Sequence, residues 1–325
     1  MLTFPHAPTS YYVPAGRPVE FTVASDPAAT FDVRILDAAG GEQLGVRRFA
    51  DTSEAVVDVA PCVARTLRFA PRPGRTGLID TSGRVRSVRL CAVQAGTTRQ
   101  LFSHERVLYP AAEEKTLPAW LSTLPRARLI ARDECDELSW LSADPLRVVV
   151  TAYDRSGDTE GCSFQTEGGG LTALRLRAAD FPAAERIEVQ AGACGTVVYT
   201  VIPPLAEGCR VAWRSAEGSV EHYTFPVEVS ERVTARRKRV YGPDGYTTTG
   251  AETHSCRRLR SAFETREVLD ALAGILSSPE VWTVEAGKYV PVDVAGEEAF
   301  THRHGTLSCL ELEIRPRMKN ERIWN

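Results

Sequence analysis

The chain has 325 residues, 43% of them hydrophobic, with 39 Lys and Arg against 42 Asp and Glu for a formal net charge of −3. At ~100–150 residues per domain this predicts two or three domains, each able to bury a core without staples or cofactors. The near-neutral charge argues against whole-molecule attraction to nucleic acid or acidic membrane, and no apolar run reaches the ~18–20 residues of a membrane-spanning helix.

The first stretch, MLTFPHAPTSYYVPAGRP, has neither a basic n-region nor a continuous apolar h-region. The expectation is a protein made and folded in the cytoplasm without a Sec-type signal. VEFTVAS, FDVRILDAAGG, EAVVDVAP, TLRFAP and SVRLCAVQAGTTRQLFSHERVLY then alternate apolar and polar residues, broken by Gly, Pro and Asp. This period predicts short antiparallel strands, and their spacing predicts an immunoglobulin-like β-sandwich over residues 1–110. YPAAEEKTLP is charged and flanked by Pro, which predicts a linker over 111–120.

A second run follows in ARLIARDE, LRVVVTAYD, LTALRLRAADFP, RIEVQAG, GTVVYTVIP and the hairpin CRVAWRS…HYTFPVEV, predicting a second sandwich over 121–229. With Glu217–Gly218 as the tip of a two- or four-residue loop, Arg214 faces Glu221 and Trp213 faces His222. Tyr223 and Phe225 then share the opposite face with Ala212, so the rings divide between faces and hold a folding unit together. One of those faces is a candidate interface, with Trp213, Tyr223 and Phe225 as its residues.

The last hundred residues change character. ERVTARRKRVYG and THSCRRLRSAF read as strands, and SAFETREVLDALAGILSSPE as a helix. Ser261 and Glu264 fit a capping box, Val268, Leu269, Leu272, Ile275 and Leu276 share one face, and Pro279 ends the helix. VWTVEAG with YVPVDVAG reads as a hairpin and TLSCLELEIRPR as a final strand. The expectation for 230–325 is a small α+β domain, one helix on a sheet, so that the whole chain is mainly β.

Chemistry-bearing clusters are sparse. His254 and Cys256, with His302 and His304, are spaced to face one side of a strand each and would form a tetrahedral metal site only if the two strands met. YDRSGDTEGCSFQ places Asp154, Ser156, Asp158 and Glu160 at alternate positions, but Gln165 stands where a calcium loop needs its last acid. DECDE, residues 133–137, reads as an exposed acidic loop, without the opposed carboxylates of a glycosidase. The basic RRKR and CRRLR lie in a region with 15 Lys and Arg against 14 Asp and Glu, and read as a solvated or interfacial strand edge. Eight cysteines are scattered without a C-x-x-C; most read as small buried apolar residues on strands, and the even count permits disulfides without arguing for them. No nucleophile-elbow, zinc-protease, P-loop or dinucleotide motif occurs, and no cofactor is expected.

The stretches VAWRSAEGSVEHYTF, TREVLDALAGILSSPEVWTVEAGKYVPVDV and LSCLELEIRPRMKNERIWN give a Trp strand and turn, a Tyr-x-Phe strand, a helix ending near Ser-Ser-Pro, a hairpin and a last strand. In this respect residues 205–320 resemble tail- and baseplate-associated structural proteins of tailed phages and prophages, although RSAEG replaces the usual Asn-x-x-Gly turn. The resemblance implies a non-catalytic particle component that self-associates, bound to copies of itself and to other particle subunits, made in the cytoplasm and carried in a virion. In that setting Trp324 is a candidate anchor into a neighbour. The alternative is a glycan-binding or adhesive multi-domain β protein using the loops at 133–137 and 154–160. A hydrolase with acids in an interdomain cleft ranks last.

Overall fold

The computed structural model describes residues 1–296, 298–317 and 320–323, the last four as backbone. Its eight cysteines are free thiols. The chain is mainly β, as its alternation predicts.

The first sheet is built on a long hairpin, Glu20–Asp37 with Gln43–Asp58. Phe31, Val33 and Ile35 recur every second residue and are fully buried, joined by Phe21, Val57, Val88 and Leu90. The strand bends where its register breaks between Ala24 and Ala29, around Pro27, which has no N–H to give to a ladder. Leu2–His6, Arg86–Gln94, Arg106–Tyr109 and Tyr12–Pro14 extend the sheet, the last two in parallel. A five-residue helix, Ala60–Ala64, follows the hairpin. TLRFAP, expected as a strand, has no regular strand structure.

The second core lies between two sheets packed face to face. One orders Ala127–Ala131, Thr196–Ile202, Arg186–Ala191, Arg147–Tyr153 and Thr159–Gln165. The other orders Gly77–Ile79, Gly170–Arg177, Cys135–Ser142 and Ala119–Trp120. Ile130, Trp140, Val148, Val150, Leu174, Leu176, Ile187, Val189 and Tyr199 fill the space between them. This sandwich draws one strand from the first hundred residues, since Gly77–Ile79 pairs antiparallel with Ala173–Arg175. The expected division at residue 110 therefore cuts a sheet. The expected linker 111–120 contains a strand, because Ala119 and Trp120 pair with Leu141 and Trp140.

The third sheet has nine strands, ordered Val220–Phe225, Cys209–Arg214, Val281–Glu285, Lys288–Val294, Leu307–Pro316, Gly245–Arg260 and Val227–Gly242, with Phe300–His304 and Asn320–Ile323 beside this path. The hairpin 209–225 belongs here and not to the second sandwich, so the boundary expected at 229 also falls within a sheet. Trp213, Phe225, Leu259, Leu272, Ile275, Leu310 and Leu312 form the core under the helix Arg266–Ala273. That helix starts later than the capping box predicts. Thr265 is its N-cap, while Ser261 is buried and accepts the N–H of Leu310 at 2.9 Å.

The strands Val227–Gly242 and Gly245–Arg260 form an arm. They pair along their length around the two-residue turn Pro243–Asp244, with Gly245 at φ +97°. Sixteen residues at ~3.3 Å each make it about 50 Å long. Every residue from Val227 to Tyr241 is exposed. The return strand is held at its base by Glu311–Ile314 and further out by Asn320–Ile323. Among the described residues, no strand pairs with the outer edge of Val227–Gly242.

Candidate functional site

Two regions stand out: a charged junction with a crevice beside it, and the arm.

The junction forms where Cys135–Ser142, the strand after the acidic run, packs on Val220–Phe225 of the hairpin. The run at 133–137 is not an exposed loop, because Asp136 and Glu137 are buried. The Asp136 carboxylate accepts the hydroxyl of Tyr199 at 2.7 Å and Nη1 of Arg128 at 3.3 Å, and lies 3.0 Å from Nδ1 of His222. Burial alone would raise this carboxyl; the hydrogen bond from His222 and the charges of Arg128, His222 and Arg210 outweigh it and hold it well below the usual carboxylate range. An ionised Asp136 requires Nδ1 of His222 to carry the proton and donate. Nε2 of the same ring lies 2.9 Å from the Tyr289 hydroxyl, which in turn lies 3.6 Å from the Cys135 sulfur. Burial, and then the neighbouring Cys135, push the Tyr289 hydroxyl far up, so it keeps its proton.

Around this chain sit three further anchors. Arg210 donates to Glu134 at 2.7 Å and to Thr224 at 2.9 Å. Glu221, with no exposed surface, accepts the backbone N–H groups of Thr123 and Leu124 and the hydroxyl of Ser122, the last at 2.6 Å. Arg84, from the first hundred residues, makes a two-pronged pair with Glu137, both side chains almost wholly buried. These charges face protein on both sides. Geometrically, the Asp136–His222, Glu134–Arg210 and Glu221 contacts fix how the second sandwich sits on the nine-stranded sheet, and Arg84–Glu137 ties the first hundred residues to that sandwich.

Beside the junction a crevice of about 410 Å³ opens between the same two bodies. Leu129, Ile202, Leu205, Pro226 and Val268 supply apolar wall, and Glu134, Arg210, Tyr223 and Glu264 supply polar groups. Leu129 is 63% exposed. The Tyr223 hydroxyl donates to Glu264 at 2.8 Å and accepts the N–H of Ala262 at 3.0 Å.

The sequence-predicted residues fall out as follows. Trp213 and Phe225 have no exposed surface and sit in the core, which excludes them as interface contacts. Tyr223 is partly buried and lines the crevice. The pairing is Arg214 with Val220, Trp213 with Glu221 and Ala212 with His222, one residue from the expected register. Trp213, Tyr223 and Phe225 thus share one face, and His222 takes the other. The conclusion that the hairpin is a folding unit fits this burial. His254 and Cys256 lie on the arm's return strand, whereas His302 pairs with Cys309 on the far side of Leu307–Pro316, so the four candidate ligands are not brought together. No group of three or more metal-ligating side chains occurs among the described residues. Asp154 accepts the N–H groups of Ser156 and Asp158, each at 2.9 Å, closing a hairpin tip on itself. Trp324 lies outside the described residues. No helix among them is long and apolar enough to cross a membrane.

Sequence reasoning missed Arg84, Arg128 and Arg210, placed Asp136 and Glu137 on an exposed loop, and gave Glu221 only a cross-strand partner. Apart from Arg128 with Asp136, eight residues apart, the partners that join separate parts of the chain are 53 to 99 residues away, and no local spacing marks them.

No family model matches the chain, and no curated protein matches it. Among solved structures it is similar to the calcium binding domain CBD12 of CALX1.1, at 10% identity over 59% of this chain and 79% of that one, with a TM-score of 0.21. Dpr2 Ig1–Ig2 in complex with DIP-Theta Ig1–Ig3 gives 10% identity over 97% and 90%, with a TM-score of 0.23. The I67–I69 fragment of titin gives 10% over 96% and 87%, at 0.19. Overlaps of this size carry no argument about this chain.

Proposed function

We propose that this chain is a non-catalytic structural and interaction protein, and that its arm joins it to other protein chains. The observation that carries this reading is the open outer edge of Val227–Gly242, sixteen residues long, with Val227, Val229, Val233, Val240 and Tyr241 exposed along it. A two-stranded ribbon is marginal in water without a third strand or a packed face. An open strand of this length, carrying apolar side chains, is a template for strand addition by a partner. The buried junction supports the same reading: its charges are consumed by one another and the Tyr289 hydroxyl is held protonated. A particle subunit of the tail or baseplate kind, as the C-terminal resemblance implies, is the finer form of the proposal. It would be made in the cytoplasm and carried in the assembled particle.

An adhesive multi-domain β protein is the second reading. It is favoured by β-sheets along the whole chain and by the self-closed tip at Asp154–Asp158. Protein partners are common to both.

The test replaces residues 230–258 with a short Asn-Gly turn and compares absolute mass by light scattering. The intact chain is expected to form a defined oligomer and the shortened chain a monomer. An intact chain that stays monomeric at every concentration reached, or an equally associated shortened chain, overturns the proposal.

A further inference from the structure

Glu264 borders the crevice with a carboxylate that accepts one hydrogen bond, from Tyr223, and meets no cation within ion-pair distance among the described residues. Glu134, the other carboxylate there, already holds Arg210. An apolar wall ending in an unpaired carboxylate is complementary to a side chain with an aliphatic stem and a cationic head, an arginine or a lysine. The molecule itself displays such groups. Arg236, Arg237 and Arg239 are exposed on the arm and form no ion pair among the described residues. The segment 227–260 holds eight Lys and Arg and four Asp and Glu, a net +4, which leaves −7 on the rest of a chain of net −3.

The arm cannot serve its own crevice. It starts beside the crevice, at Pro226, and Arg236 lies ten residues along a paired strand, about 30 Å away. We propose that the crevice beside Glu264 is a socket for an arginine of the arm of a second copy, in a head-to-tail contact between two different surfaces. The inference rests on the arm reading above and names its partner. The charge balance favours a copy as the arm's partner, because an arm of net +4 and a body of net −7 satisfy each other within one kind of molecule.

Sedimentation velocity of the full chain tests this. Glu264→Gln keeps an acceptor for Tyr223 and removes the charge; its thermal unfolding should match that of the parent chain. A second variant carries Arg236→Ala, Arg237→Ala and Arg239→Ala together. Each is expected to weaken self-association by about tenfold or more, the scale of one charge-assisted hydrogen bond. Combining them should add little, because both remove the same contact. If Glu264→Gln associates as the parent does while shortening the arm abolishes association, the socket is wrong and the arm reading stands. If neither change matters, both fail. If the arginine variant self-associates normally but loses binding to a duplex DNA probe, the occupant of the arm is nucleic acid and the proposal is overturned.

Discussion

Asp136 is 3% exposed and carries a full charge, a combination that survives only because Arg128, His222 and Tyr199 surround it. Removing it by Asp136→Ala should cost about 3–5 kcal/mol, because it strands a buried guanidinium and a buried hydroxyl. Its pH dependence has a definite sign. The folded carboxyl lies below its ordinary 3.8, so its stabilisation is complete above that value and is lost as pH falls through the folded value. Urea midpoints of the parent chain and Asp136→Asn should therefore differ most near neutral pH and converge on acidification below 3.8. A gap that stays constant into acid would place the effect elsewhere than in this charge. The sequence hid this residue, because a run of acids is ordinarily solvated and the cations that compensate it come from other strands. The hairpin rings were legible as buried structure, but not their faces. The loop spans five residues, 215–219, where two or four were expected, and a one-residue change in register moves every partner.

At the scale of elements, period-two alternation located most strands of three of the sheets but only Gly170–Arg177 of the four-stranded one, and helical spacing located the helix. What it did not supply was which strands pair. ERVTARRKRVYG and THSCRRLRSAF read as strands, yet nothing in them announces that they pair with each other for their whole length and leave the sheet. The helix start was misplaced because Ser261, a good N-cap residue by type, instead accepts the N–H of Leu310. On the arm, every second N–H of Val227–Gly242 points away from its neighbour strand. Those amides should exchange with solvent rapidly in dilute protein and become protected at high concentration, while the inward set is protected throughout. Hydrogen exchange read at two concentrations checks this. Concentration-independent exchange along the outer edge would count against strand addition there.

Across the whole molecule, the charged, Pro-flanked stretch at 111–120 and the change of pattern after 229 suggested three separable bodies, and the excursion between Ala64 and Arg86 contradicts that division. Within it Phe69 joins the cluster of Ala212, Val220 and Trp282, Gly77–Ile79 completes the second sandwich, and Arg84 is buried against Glu137. The guanidinium carbons of Arg84 and Arg214 lie 5.1 and 4.4 Å from the Phe69 ring centre. One irregular segment thus touches all three parts. Arg84→Ala, a change in the first hundred residues, should destabilise the second sandwich by about 3–5 kcal/mol. Calorimetry of the parent chain should show one coupled transition, and a fully independent melting of the parts would contradict the role of the segment.

The Gly77–Ile79 strand also sets an order in time. It leaves the ribosome roughly ninety residues before its partner at Ala173–Arg175, which at ~5–20 residues per second is a wait of about 5 to 20 seconds. For that interval the segment is a nascent strand without a neighbour, and Arg84 a cation whose burial site has yet to be made. The second sandwich therefore closes around a piece of chain already waiting outside the tunnel, and a chain synthesised from residue 111 onward would have to close without it.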